Sequence, residues 1–334
     1  MTEQSKINRK GSKRTSLFER ADEMFGLDKL GAAAMPANLP DIESRVPRAV
    51  RDAAQIAHQH AATEELVEVP EGPASVPAAA QAPSPKPQER KVVFSGPRQK
   101  IDRETLRDEG LIVPEDQVTG LLEEFRIVKR ELLADARAAG DAAARRILVC
   151  SPLPGEGKTY CAINLAIALA AERDVEVLLV DADVLNPSVA GRLGIEGGRG
   201  LMDTLADDDL HPERLAIGTD IERLFVLPAG SSSARDAEFL ASARTEQVLD
   251  RLTRGAPNRF VIFDTPPALA ASPAAELAAH VGQALLVVRA DETSRAALED
   301  AQQLLSACPD IKLLLNAARF SPSGRRFGDY GERE

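Results

Sequence analysis

From Arg146 onward the chain alternates between two hydrophobic periods. Continuous apolar runs fall at 146–151, 175–181, 224–228, 260–264, 284–289 and 311–316. Each is short enough for a strand and apolar on successive positions, as a strand buried on both faces must be. Between them lie segments of helical period, running to about 172, then near 187–193, 200–206, 235–241, 244–254, 273–280 and 293–307. Buried strands alternating with helices predict a parallel sheet covered on both sides, the doubly wound α/β class.

Upstream the pattern changes. A short helix is expected over Asp102–Asp108, stopped at Gly110. A long one is expected from Val118 to Ala139, stopped by Gly140, with Leu121, Leu122, Phe125, Val128, Leu132 and Leu133 on its apolar face. Its polar side carries Glu123, Arg126 and Lys129, spaced by three and so roughly on one side. Residues 31–95 are rich in Pro and Ala and poor in large apolar side chains, a composition that cannot offset its ordering entropy and predicts a disordered linker. Before it, Ser16-Leu-Phe-Glu19 forms a capping box ahead of an amphipathic stretch to about 30. The division expected is an extension over 1–100, a domain over 101–320 and a flexible polar tail over 321–334.

Composition narrows the function. A formal net charge of −11 disfavours a nucleic-acid partner. The basic cluster Arg9-Lys10-Gly-Ser-Lys13-Arg14 reads as a solvated tail. Cys150, Cys161 and Cys308 lack metal or disulfide spacing, and the four histidines are scattered, which suits a reducing cytoplasm. No stretch approaches the ~20 apolar residues of a membrane span, and the polar, basic start has no secretory leader pattern.

The chemistry centres on Ser151-Pro-Leu-Pro-Gly-Glu-Gly-Lys-Thr159, set between the first apolar run and a helical segment. Strand, glycine loop and helix in that order make a phosphate-binding loop. Backbone N–H groups and the helix dipole face the anion, Gly155 and Gly157 let the backbone curl, Lys158 reaches the β/γ-phosphates, and Thr159 is placed for Mg²⁺. Pro152 stands where the strict motif has its first glycine. Ligands of open parallel sheets sit beyond the strands' carboxyl ends, and Asp181, Asp183 and Asp264 lie at such ends. Asp264 occupies the position of a Walker B aspartate, and Asp181 is expected near the same metal.

Together, Ser151–Thr159, Leu178-Leu-Val-Asp-Ala-Asp183 with Asn186-Pro-Ser188, and Val261-Ile-Phe-Asp-Thr-Pro-Pro267 resemble the bacterial tyrosine kinases, P-loop autokinases of exopolysaccharide and capsule synthesis related to the MinD/ParA-like ATPases. Glu123-x-x-Arg126-x-x-Lys129 resembles the helix that builds that family's ring-shaped oligomer, with Lys in place of the last Arg. The Ser-Leu-Phe-Glu-Arg stretch and Leu106–Pro114 resemble a branch linked to exosortase-type loci. The similarity covers 101–320 well and 16–30 weakly.

The resemblance implies ATP and Mg²⁺ as ligands. It assigns nucleotide binding to Pro154, Gly155, Glu156, Gly157, Lys158, Thr159, Tyr160 and Asn316, with Asn316 at the adenine. It assigns metal binding to Thr159, Asp181 and Asp264, and catalysis to Lys158, Asp181, Asp183 and Asp264. It further implies phosphorylation in trans of a C-terminal tail tyrosine, here Tyr330, and a homo-oligomeric ring. The implied partners are a membrane chain-length regulator as activator, which would hold the chain peripherally at the inner membrane, and a cognate phosphatase. Two features depart from the pattern. Leu185 stands where Arg usually follows the Asp pair, and the tail has one tyrosine rather than a cluster. Two other readings follow: a MinD/ParA-like ATPase switch, whose signature lysine is replaced by Leu153, and a non-catalytic nucleotide-binding subunit of an export complex.

Overall fold

The computed structural model describes residues 90–318. The expected 16–30 helix, the N-terminal basic cluster, most of the Pro/Ala-rich stretch and Tyr330 lie outside the described residues.

The described chain begins as an extended strap. Helix α1 follows at Arg103–Asp108, with the Asp102 side chain accepting from Glu104 N at its start. Helix α2, Gly120–Ala139, begins on Thr119, whose hydroxyl accepts from Leu122 N, and ends on Gly140 at φ 72°. A 3-10 turn, Ala143–Arg145, leads into β1, Arg146–Cys150. Then come α3 (Lys158–Ala170), β2 (Glu176–Asp181), α4 (Val189–Arg192), α5 (Leu201–Ala206) and α6 (Pro212–Leu215). The two-residue β3 (Ile217–Gly218), β4 (Leu224–Leu227), α7 (Asp236–Leu240), α8 (Ala243–Thr253) and β5 (Arg259–Asp264) follow. Helix α9 (Pro273–Ala278), β6 (Gln283–Arg289), α10 (Arg295–Leu304) and β7 (Ile311–Asn316) complete the order.

The seven strands form one sheet in the order β3-β4-β2-β5-β1-β6-β7. Every pairing is parallel except β3 with β4. The expected apolar runs are the six longer strands. On one face of the sheet, Ile147, Val149, Leu179 and Ile262 meet α2 and α3. On the other, Leu148, Leu178, Phe263 and Leu286 pack with side chains of α5, α7, α8, α9 and α10. Full burial of such a side chain stabilises the fold by roughly 1.5–3 kcal/mol. Helix α3 is sandwiched between the sheet and α2, and only Lys158 and Tyr160 of its residues are less than fully buried.

Two features differ from the sequence pattern. Residues 91–100, expected within the extension, lie along the sheet edge. Val92 N donates to Arg254 O, Arg98 bridges Gly218, and Phe94 is buried. The cause is Arg259 at the start of β5, which is 1% exposed. Its guanidinium lies over the Phe94 ring at 3.9 Å, donates to Val92 O and Leu252 O, and pairs with Glu176. A buried charge is tolerated only when so completely partnered, and the strap supplies part of that partnership.

The second concerns α2. Glu123 and Arg126 form an i,i+3 ion pair near the surface. Lys129, expected on the same solvated side, is turned inward and 7% exposed. Its Nζ donates to Ala168 O at 2.9 Å and pairs with Glu172 at 2.7 Å. The close approach of α2 to α3 explains this, since a long side chain lying between them reaches α3's last carbonyls.

Candidate active site

The loop between β1 and α3 lies where the sheet topology places ligands, at the carboxyl end of the central strands. Gly155 and Gly157 take positive φ, 80° and 94°, conformations closed to most side chains. A Cβ at Gly157 would also stand 2.1 Å from Asn316 Nδ2. Gly157 is the N-cap of α3, so the unpaired N–H groups of that helix start face the cavity.

That cavity has a volume of about 420 Å³. One wall is the loop, with Gly155, Lys158 and Thr159. The segment after β2 also lines it, with Asp183, Leu185, Ser188 and Arg192. Pro266 and Pro267, after β5, close a third side.

Lys158 Nζ pairs with Asp183 Oδ2 at 2.6 Å, and both side chains are largely buried. Asp183 Oδ1 accepts from Asn186 N at 3.1 Å. Asp181 and Asp264 are register partners at the ends of neighbouring strands. Their circumstances differ. Asp181 is engaged by backbone: Oδ1 accepts from Asp183 N, and Oδ2 from Ser188 N and Val189 N. It pins the loop into α4. Burial raises its carboxyl to about 6, against the lowering effect of those N–H groups. Asp264 is fully buried and neither carboxylate oxygen has a hydrogen-bond partner. Burial raises it to about 7, opposed first by the positive charge of Lys158.

An orphaned buried carboxylate beside a phosphate loop fits a divalent cation. Among the described residues no three carboxylate, histidine or cysteine groups converge as a metal cage. Mg²⁺ does not require one, because it keeps several waters and takes phosphate oxygens with one or two protein ligands. Asp264 and the Thr159 hydroxyl are the residues that would hold it.

Other expected residues take bracing positions. The Glu156 carboxylate points away from the cavity, accepting from Leu153 N at 2.7 Å and from the Thr293 hydroxyl. Asn316, at the end of β7, donates to Glu156 O at 2.8 Å and accepts from Ala317 N. Both hold the loop's shape. Tyr160 borders the cavity, but its hydroxyl donates to Gly110 O at 2.9 Å, which ties α3 to the segment after α1. Asn164, one turn on, accepts from Ile112 N at 2.8 Å. Sequence reading did not single out Arg192 or Thr293. Neither sits in a motif, and only the folded chain brings them to the loop. Cys150 and Cys161 flank the loop but are inert, their thiols pushed by burial to about 11 and about 12.

Comparison with known proteins agrees with this geometry. The AAA domain family matches residues 144–318, more than half of the chain. The tyrosine-protein kinase YwqD of Bacillus subtilis is 28% identical over 214 residues, covering 64% of this chain and 87% of that protein. The putative tyrosine-protein kinase EpsB of Ralstonia nicotianae is 31% identical over 198 residues, 59% of this chain but only 25% of that protein. The chain therefore spans most of the first relative and about a quarter of the second. In fold, the kinase domain of the Escherichia coli tyrosine kinase ETK superposes with a TM-score of 0.52 at 21% identity, over 69% of this chain and 93% of that domain. From the phosphate loop, the strand-end aspartates and these matches, the chain belongs to the AAA domain family and, within it, to the bacterial tyrosine kinases.

Proposed function

We propose that this chain is an ATP-dependent protein-tyrosine autokinase that acts in exopolysaccharide synthesis or export. The observation that carries the reading is the pairing of Lys158 with Asp183 beside the unpartnered Asp264, at the mouth of a phosphate loop. The ion pair is a resting arrangement. When a triphosphate enters, Lys158 transfers its hydrogen bonds to the phosphate oxygens, and Asp183 is left as a free carboxylate at the cavity wall. There it is placed to accept the proton of an incoming tyrosine hydroxyl. Bound Mg²⁺, held by Asp264 and Thr159, supplies charge neutralisation. Asp181 positions Asp183 and the α4 loop. Asn316 would contact the adenine, its amide leaving Glu156 O for the base.

Tyr330 is the proposed acceptor. The tail leaves β7 at Asn316, which touches the phosphate loop. Fourteen extended residues can span about 46–50 Å, so reach alone allows transfer within a protomer or between protomers. We favour transfer between protomers in a ring to which Glu123 and Arg126 of α2 contribute. A membrane chain-length regulator would activate the kinase and recruit it to the inner membrane, and a cognate phosphatase would reset it.

Phosphotyrosine mapping by mass spectrometry after incubation with Mg-ATP tests the activity. Mixing Lys158→Met chains with Tyr330→Phe chains tests the direction of transfer. The expected result is phosphate on Tyr330 of the Lys158→Met chain. If wild-type chains label Tyr330 but the mixture does not, transfer is within one protomer. Steady ATP hydrolysis with no phosphotyrosine, even with the activating partner present, would replace the kinase reading with that of an ATPase switch.

A further inference from the structure

We propose that Arg192 is a second phosphate-binding cation of the nucleotide cavity, and that Glu109 competes with the nucleotide for it. The inference rests on the nucleotide reading of the cavity and adds a residue that determines which nucleotide is held.

Among the described residues lining the cavity, Lys158 and Arg192 are the two cations. They stand on different walls, Lys158 at the start of α3 and Arg192 at the end of α4. The charge balance needs both. Lys158 is already offset by Asp183, and Asp264 adds a further carboxylate close by. A triphosphate carries more negative charge than Mg²⁺ and one shared lysine can neutralise. The residue two after Asp183 on the same wall is Leu185, whose side chain is 58% exposed and offers no charge. Arg192 is the group on that wall able to meet a phosphate, and a guanidinium binds phosphate oxygens in bidentate fashion.

In the ligand-free chain Arg192 pairs with Glu109, just past α1, and both side chains are 38% exposed. A solvent-exposed ion pair is weak and readily exchanged. A phosphate oxygen in the low-dielectric cavity is the stronger partner. Glu109 belongs to a segment already tied to the cavity's frame, through Asp102 N to Leu193 O and through Tyr160 to Gly110 O. The exchange therefore needs only side-chain movement. Arg192 comes from the β2–α4 segment rather than from the loop, whose N–H groups serve the inner phosphates, so its contribution is assigned to the terminal phosphate, and it should separate triphosphate from diphosphate.

Calorimetric titration of the full chain with AMP-PNP and with ADP, each with Mg²⁺, tests this. Arg192→Ala is expected to weaken AMP-PNP binding by about tenfold or more while ADP affinity changes by less than about threefold. Arg192→Lys should recover part of the loss. Glu109→Gln should act in the opposite direction, tightening AMP-PNP by about two- to fivefold. A parallel loss for both nucleotides, or no change for either, overturns the proposal and leaves nucleotide binding itself intact. Wild-type chain that binds neither nucleotide overturns both readings.

Discussion

Replacing Lys158 by methionine is expected to lower phosphotransfer by about 10³-fold, the scale seen when one charge-stabilising donor is removed from a transition state. Phosphotyrosine formation per unit time, measured at saturating Mg-ATP, checks it. The structure adds a second effect. Asp183 has a side chain only 3% exposed and relies on Lys158 as its ionic partner. Methionine leaves that carboxylate buried and unpaired, which destabilises the ligand-free fold by roughly 3 kcal/mol. The double variant Lys158→Met with Asp183→Asn should regain most of this stability in a denaturant titration and none of the activity. If the single variant transfers phosphate at the wild-type rate, Lys158 does not act on the transferred phosphate.

Asp264→Asn is expected to abolish Mg-nucleotide-dependent activity while making the ion-free protein more stable near pH 8. The reasoning follows from burial. Asp264 titrates near 3.8 in an unfolded chain and is raised to about 7 in the fold. Below the lower value both states hold the proton. Between about 4 and about 7 the folded state keeps a proton that the unfolded state releases, so this group's contribution to stability falls as pH rises. Above about 7 the penalty is constant, on the order of 4 kcal/mol. Thermal melts of wild type and variant without Mg²⁺ should therefore diverge from pH 5 to pH 8, with the variant higher at pH 8. Asp181 titrates within the same window and its charge helps to raise Asp264, so the pH-dependent gap reports Asp264 together with its coupling to Asp181. Adding Mg²⁺ and nucleotide should reverse the order, because the cation requires the ionised carboxylate. A gap that does not vary with pH would show that Asp264 is ionised throughout.

Much of this was legible in the chain because the governing interactions are local. A strand buried on both faces has to read as a continuous apolar run, and β1, β2, β4, β5 and β6 do; the edge strand β7 reads the same way but leaves Leu313 and Leu315 exposed. The loop and its aspartates were legible because sheet topology dictates where ligands sit. What escaped detection depends on distant partners. Strand β3 is two residues long, too short to show a period. The strap is ordered by Arg259, more than 160 residues away along the chain. Helical spacing placed Lys129 beside Glu123 and Arg126, but it carries no information on how closely α3 approaches. Glu156 sits inside the motif, so its identity was plain; that its carboxylate braces Leu153 and Thr293 was not.

The sandwiching of α3 has a consequence for motion. The helix that carries Lys158 is buried on nearly every side. It cannot shift without opening the core on that face of the sheet. In the segment after β2, Leu185, Asn186 and Pro187 are exposed to solvent. Adjustment to an arriving nucleotide thus belongs to the β2–α4 segment, with α3 as the fixed support. In hydrogen-exchange terms, the amides of α3 from Cys161 onward should open only with global unfolding, whereas the Leu185 and Asn186 amides should exchange through local fluctuations and slow when nucleotide binds. Rapid exchange along α3 in the ligand-free protein would contradict that division.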